Sequence, residues 1–239
     1  MSNEDPILDE EQTLSEEPEA WGSRKESSVG AGTFLGSVLL VAGLGGGLVY
    51  MQWNKLQRFD AAQLKIKEAI EVLDNDGSYG AVNRARKALN AALEEVDEDA
   101  IATSKLALLE AQSLLHDGDA EARTRALGQL AVAEANGFEK GERFAAQALL
   151  DLADNKPDKV TKDLKAIFDK GGNSGDLFFV FGLAQTMLGE AGAGAEQIRK
   201  AAEAAQSNVW FATALAEANY RADNLTGSMK ALGPLTSGA

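Results

Sequence analysis

The stretch GDLFFVFGLAQTMLGEAGAGAEQIRKAAEAAQSN, residues 175–208, reads as two helices interrupted near Gly189. Its apolar residues recur at helical spacing, with no sustained alternation of period two. Shifting the chain against itself by 34 residues superposes three such hairpins without a gap, starting at Gly141, Gly175 and Val209. Within each, the fourth position is Phe144, Phe178 or Ala212, and the eighth is Ala148, Gly182 or Ala216, small enough for a paired helix to come close. In the second helix, position 20 is Val160, Gly194 or Ser228, position 24 is Leu164, Ile198 or Leu232, and position 27 is Ile167, Ala201 or Leu235.

This alternation of small and large residues resembles the tetratricopeptide repeat, whose period is about 34. Phe178, Phe181, Gly182, Ala184, Gly189 and Ala201 carry the best single match. Working outward, turn-forming clusters at 74–77, 117–119, 136–141, 154–158, 171–175, 189–194 and 222–224 divide the chain into helices of about 12 to 18 residues. The turn glycines Gly118 and Gly77 anchor two earlier hairpins, near 104–136 and 63–96, at stretched spacings. These two lack the large residue and glycine that the family has in its first helix, and a related helical-pair solenoid stays open. The expected fold is all-α, a solenoid of about five hairpins over 56–239.

The resemblance implies a superhelix whose concave face, lined by the first helices, binds a peptide or another protein. Inward positions would carry Leu108 and Leu115, Leu149 and Leu152, Phe179 and Leu183, and then Trp210, Glu217 and Tyr220. Such a groove is apolar and aromatic. Apart from Lys105 it lacks the basic residues with which repeat proteins clamp an acidic C-terminus, so a hydrophobic segment or amphipathic helix fits it better. The alternative is that these side chains are core between repeats. At the C-terminal edge no capping helix follows Leu235, so Met229 and Leu232 are expected to be partly exposed and to contact a partner or a second copy.

Ahead of the repeats, no ionisable acid or base stands between Glu26 and Lys55, and Val29 to Met51 is almost wholly apolar or glycine. Roughly 20 such residues span a bilayer core as a helix, so 29–53 is expected to be a transmembrane helix. Tyr50 and Trp53 suit the headgroup interface. A cleaved signal peptide would need an earlier start and a small-residue cleavage site, and a buried soluble helix would bear about 1 kcal/mol for each glycine of the run. Gly32, Gly36, Gly43 and Gly47 form two G-x-x-x-G pairs that fall within about 60° of one another, a face through which two copies or a partner helix could pack. Residues 1–28 form an acidic tail with little to bury, expected to be disordered.

The net charge of −14 and the absence of a basic run argue against nucleic acid as a partner. Without cysteine there is no thiol chemistry, and His116 is the single histidine, read as a surface or helix-end residue. No phosphate-cradling loop or serine elbow occurs, and the acids at Glu94, Glu95, Asp97, Glu98 and Asp99 read as a solvated helix face. No cofactor, metal or catalysis is expected.

Arg24 and Lys25 before the apolar run, against Lys55, Arg58 and Lys65 after it, favour a cytosolic repeat domain. The layout, however, is similar to that of a bacterial family with an acidic cytosolic tail, one signal anchor and a periplasmic repeat domain, which includes the ancillary translocon subunit. That likeness and the missing cysteines favour the periplasm. The expected function is a non-catalytic, membrane-tethered adaptor or scaffold of a bacterial envelope complex, chaperone-like in one form. The alternative is a structural subunit permanently built into a larger membrane complex.

Overall fold

Side-chain oxygens mark most of the helix starts in the computed structural model, which describes residues 31–76, 78–206 and 208–236, with side chains from Tyr50 on except those of 79, 234 and 236. Ser78, Asp99, Asp119, Ser174 and Asn208 each accept hydrogen bonds from the free amides of the first turn that follows, at 2.9–3.3 Å. Pro157 opens another helix, where its missing N–H costs nothing. The described residues form ten helices and no strand: α1 Ala31–Asn75, α2 Tyr79–Glu95, α3 Ala100–Asp117, α4 Ala120–Ala135, α5 Gly141–Ala153, α6 Pro157–Asp169, α7 Gly175–Met187, α8 Ala191–Ala204, α9 Val209–Arg221 and α10 Leu225–Thr236. The protein is all-α, as expected.

The chain divides into two compact units, Met1–Tyr50 and Met51–Ala239. In the first, the described backbone is helical from Ala31. The acidic tail 1–28 lies outside the described residues, and so do the side-chain surroundings of most of the expected membrane helix 29–53, with its stripe Gly32, Gly36, Gly43 and Gly47. Among the described residues no helix is long and apolar enough to cross a membrane.

In the second unit the helices pair as successive hairpins. The starts of α5, α7 and α9 stand 34 residues apart, as do those of α6, α8 and α10. The turn inside each of these hairpins passes through a residue of left-handed backbone at the same repeat position, Asn155, Gly189 and Asp223, with φ of 57°, 85° and 57°. Glycine adopts this conformation freely, and Asn and Asp are the next most tolerant. Gly118 closes α3 in the same way, with φ 67°.

Successive first helices lie against one another, α3 on α5, α5 on α7 and α7 on α9, while each second helix packs on its own hairpin or the next. Two apolar cores result. One joins α1, α2 and the first half of α3, through Ile66, Leu73, Leu89 and Leu106; the other runs from α3 to α9 through Leu149, Leu164, Phe179 and Ile198. Helix α3 belongs to both, and from Ala102 to Ser113 all its residues except Lys105 are buried. Its buried Glu110 is held by Arg86 of α2 at 2.7 Å and Arg125 of α4 at 2.8 Å, so the carboxylate enters the interior with counter-charges on two sides.

The tightest approach is between α7 and α8. A methyl group on Gly182 would stand 2.6 Å from the Gly194 carbonyl oxygen and 2.6 Å from Ile198, so the two backbones meet where only glycine fits. Aromatic rings fill the neighbouring seams, Phe168 stacking on Phe178 at 5.2 Å and Phe179 meeting Phe211 at 4.8 Å. One sequence reading is corrected: Asp97, Glu98 and Asp99 are not on a helix face but in the connection between α2 and α3, where Asp99 is the cap.

Candidate functional site

Five of the first helices contribute to one hollow. The end of α1 supplies Ile70, Leu73 and Asp74, α3 supplies Lys105, Leu108 and Gln112, and the starts of α5, α7 and α9 supply Glu142, Asp176 and Phe211. Its volume is about 270 Å³. Helix α3 aims four of its residues here, Leu109 with these three, because positions 105, 108, 109 and 112 share one face at a spacing of three and four. Glu142 and Asp176 arrive because both sit in the first turn of their helices, where a carboxylate is favoured by the dipole.

Lys105 is the centre of the charges. Its ammonium donates to Asp176 Oδ2 at 2.8 Å and stands 3.7 Å from Glu142 Oε1. Burial pulls the lysine pKa down, but attraction to Asp176 and Glu142 and the hydrogen bond to Asp176 outweigh it, leaving the pKa above the ordinary lysine value. Asp74 is moved upward, first by burial; Lys105 opposes this and Asp176 adds to it. Among the described residues no group of three or more His, Cys, Asp or Glu could hold a metal ion.

The inward residues read from the repeat register divide into three sets. Leu149, Leu152 and Phe179 are fully buried and fill the seams between first helices, so they offer no open surface. The reason is the close stacking of one first helix on the next, visible in the contact of Phe179 with Phe211 across α7 and α9. Leu183 and Trp210 are half-buried, the indole packing edge-on against His116 with ring centroids 4.2 Å apart. Burial there lowers the His116 pKa, with Asp117 and Glu217 pulling the other way. Glu217 is exposed and paired with Arg221 at 2.6 Å, and Tyr220 is exposed.

Sequence reasoning missed Asp74, Gln112, Glu142 and Asp176 as members of one site. The only available signal was Lys105, a cation in an otherwise apolar inward set, which demands an acid from elsewhere in the fold.

At the C-terminal edge, Met229 is 77% exposed and Leu232 38%, with Leu225 and Tyr220 also in the open. Beside them a cleft of about 750 Å³ runs between α8 and α10 over α9. Its floor is made of small and apolar residues such as Ala195, Ala202, Leu215 and Gly227, and its rim carries Glu196, Arg199, Glu203 and Lys230.

Compared with family models, curated proteins and solved structures, the chain matches none.

Proposed function

We propose that the chain is a non-catalytic adaptor, tethered to a membrane by the apolar run 29–53, that binds a protein segment through a tetratricopeptide-like solenoid. The observation that carries this reading is the recurrence at 34 residues of helix starts and left-handed turns, together with the glycine crossing at Gly182 and Gly194. A stack of such units presents an extended surface and needs no chemistry of its own. What supports the tether is the sequence of the run, and the exposure of Tyr50, Met51 and Trp53 at its end and of Leu56 and Phe59 just beyond it. Rings with one wet and one apolar side favour the boundary between lipid and water.

We assign the repeats to the periplasmic side of a bacterial inner membrane, as part of an envelope complex, from the layout and the absence of cysteine. The C-terminal edge supplies a second contact, because the exposed Met229 and Leu232 lie where a further hairpin or a partner would cover them.

The test is affinity capture from detergent-solubilised membranes, with the wild-type chain and a Met229→Glu/Leu232→Glu variant compared by mass spectrometry. The reading expects one or a few membrane proteins retained by the wild type and reduced at least several-fold with the variant. Release of the full-length protein by alkaline carbonate would remove the tether from the reading, and a purified chain that retains no partner would remove the adaptor.

A further inference from the structure

The hollow between the first helices is left with charge and hydrogen-bonding capacity that the chain does not satisfy. Three carboxylates, Asp74, Glu142 and Asp176, share it with one ammonium, that of Lys105. Asp176 takes the hydrogen bond from Lys105, whereas Glu142 at 3.7 Å is beyond hydrogen-bond distance and Asp74 forms no ion pair among the described residues. Independently of these acids, Gln112 is only 7% exposed, lines the same hollow, and its carboxamide has no hydrogen-bond partner among the described residues. The small part of Gln112 that is exposed includes its amide atoms, which reach the open space of the hollow and are free to meet a ligand there.

A ligand that mends both deficits must carry positive charge and several N–H donors. The remaining walls, Ile70, Leu73, Leu108 and Phe211, are apolar and suit an aliphatic stem. At about 270 Å³ the space is below the roughly 300–1,000 Å³ of ordinary small-molecule sites and accepts one long side chain rather than a helix. The carboxylates are not grouped closely enough to hold a metal ion.

We propose that this hollow receives a basic side chain of the bound segment, arginine in preference to lysine, with Asp74 and Glu142 facing its cation and Gln112 accepting one of its N–H groups. Arginine is preferred because its planar fork of five donors reaches acceptors on three different helices at once, whereas an ammonium acts as a point charge. The proposal rests on the reading of the inner face as a segment-binding surface and adds the chemistry of the residue that enters it. An acidic segment is excluded by the same charge.

The test uses the full-length chain in detergent, isotope-labelled, with the side-chain amide signals of Gln112 followed by NMR. The probes are the blocked tripeptide Leu-Arg-Leu, its norleucine counterpart and free spermidine. The arginine peptide is expected to move the Gln112 signals saturably while the norleucine peptide does not. Asp74→Asn should weaken binding by about tenfold, the range expected for one lost charged hydrogen bond, and Asp74→Lys, which places the chain's own cation at the mouth, should abolish it. Asp74 is exposed, so neither change threatens the fold. Unmoved Gln112 signals, or equal binding to the Asp74→Lys variant, overturn the proposal. Spermidine binding as tightly as the arginine peptide overturns it in favour of a free polyamine. If the site fails in these ways while partner capture persists, the segment-binding reading stands without it; if capture fails as well, both fall.

Discussion

Replacing Gly182 by alanine tests the packing that holds the repeats together. The added methyl would lie 2.6 Å from the Gly194 carbonyl oxygen, 2.6 Å from Ile198 Cγ1 and 3.0 Å from the Ile198 amide nitrogen. Two of these three neighbours are backbone atoms of α8, which cannot rotate aside, so α7 and α8 must separate along their crossing. Forcing an extra methyl into a packed site costs about 1–3 kcal/mol, and a 2.6 Å approach to a backbone oxygen places this site in the upper half of that range, at about 2–3 kcal/mol. Against this, alanine recovers up to about 1 kcal/mol of helix propensity relative to glycine. The expected net loss is about 1–2 kcal/mol, a fall in melting temperature of roughly 2–8 °C for a domain of this size. Gly128, in the middle of α4, is the control: a methyl there meets nothing within 4 Å, so Gly128→Ala should gain about 0.5–1 kcal/mol. Urea unfolding followed by far-ultraviolet circular dichroism measures both. If Gly182→Ala is as stable as the wild type while Gly128→Ala gains stability, the helices do not meet at Gly182 as closely as described, and the reasoning from the crossing fails.

Lys105→Met should cost roughly 2–4 kcal/mol, since it leaves Asp176 and Glu142 largely buried beside no cation; urea midpoints near pH 7 that match the wild type would contradict this. Asp74 has a folded pKa above its unfolded 3.8, so its ionisation opposes folding, and stability falls as pH rises through the window just above 3.8. Asp74→Asn should therefore gain on the wild type, by roughly a few tenths of a kcal/mol given its exposure, at pH 7 but not at pH 3; an advantage independent of pH would refute the assignment. His116 should titrate below 6.5 in an NMR pH series, and Trp210→Ala should move its midpoint upward by uncovering the ring. Because its folded pKa is depressed, the associated stability is present above pH 6.5 and is lost as pH falls through the folded value. Met229→Glu should change stability by less than about 0.5 kcal/mol, as its side chain is exposed; a large loss would make it core.

The three C-terminal hairpins were legible in the amino-acid sequence because their repeat is uninterrupted, and the helix starts at Gly141, Gly175 and Val209 agree with those read from it. The inner turns of the first two hairpins were nearly as clear, since Gly118 and the cluster around Asp76 are strong breakers, but their starts were not: α1 runs without a break from Ala31 rather than beginning near 63, and α3 begins at Ala100 rather than near 104. Less legible was the run Asp97–Asp99, because consecutive acids suit a solvated helix face and a loop equally well; the cap at Asp99 would have been visible in the apolar residues starting at Ala100. The inward face was misjudged at Leu149, Leu152 and Phe179 because repeat register specifies which residues face the next hairpin only once the tightness of the curl is known. The charged hollow was invisible for a related reason. Lys105 and Asp176 are 71 residues apart, and no local pattern announces a pair that forms only when α3, α5 and α7 close on one another.

Asn155, Gly189 and Asp223 turn the chain at the same point of three successive hairpins, yet they are three different amino acids. What persists is the handedness of the bend rather than the identity of the residue making it. Length in this part of the protein is therefore counted in whole hairpins. An insertion or deletion of one or two residues would carry the bend onto a side chain unable to make it and set large residues opposite the Gly182 crossing. A gain or loss of 34 would leave every helix in phase. Variation in the size of such a chain is thus expected to come in steps, each adding or removing one rung of the binding surface without disturbing the joints on either side.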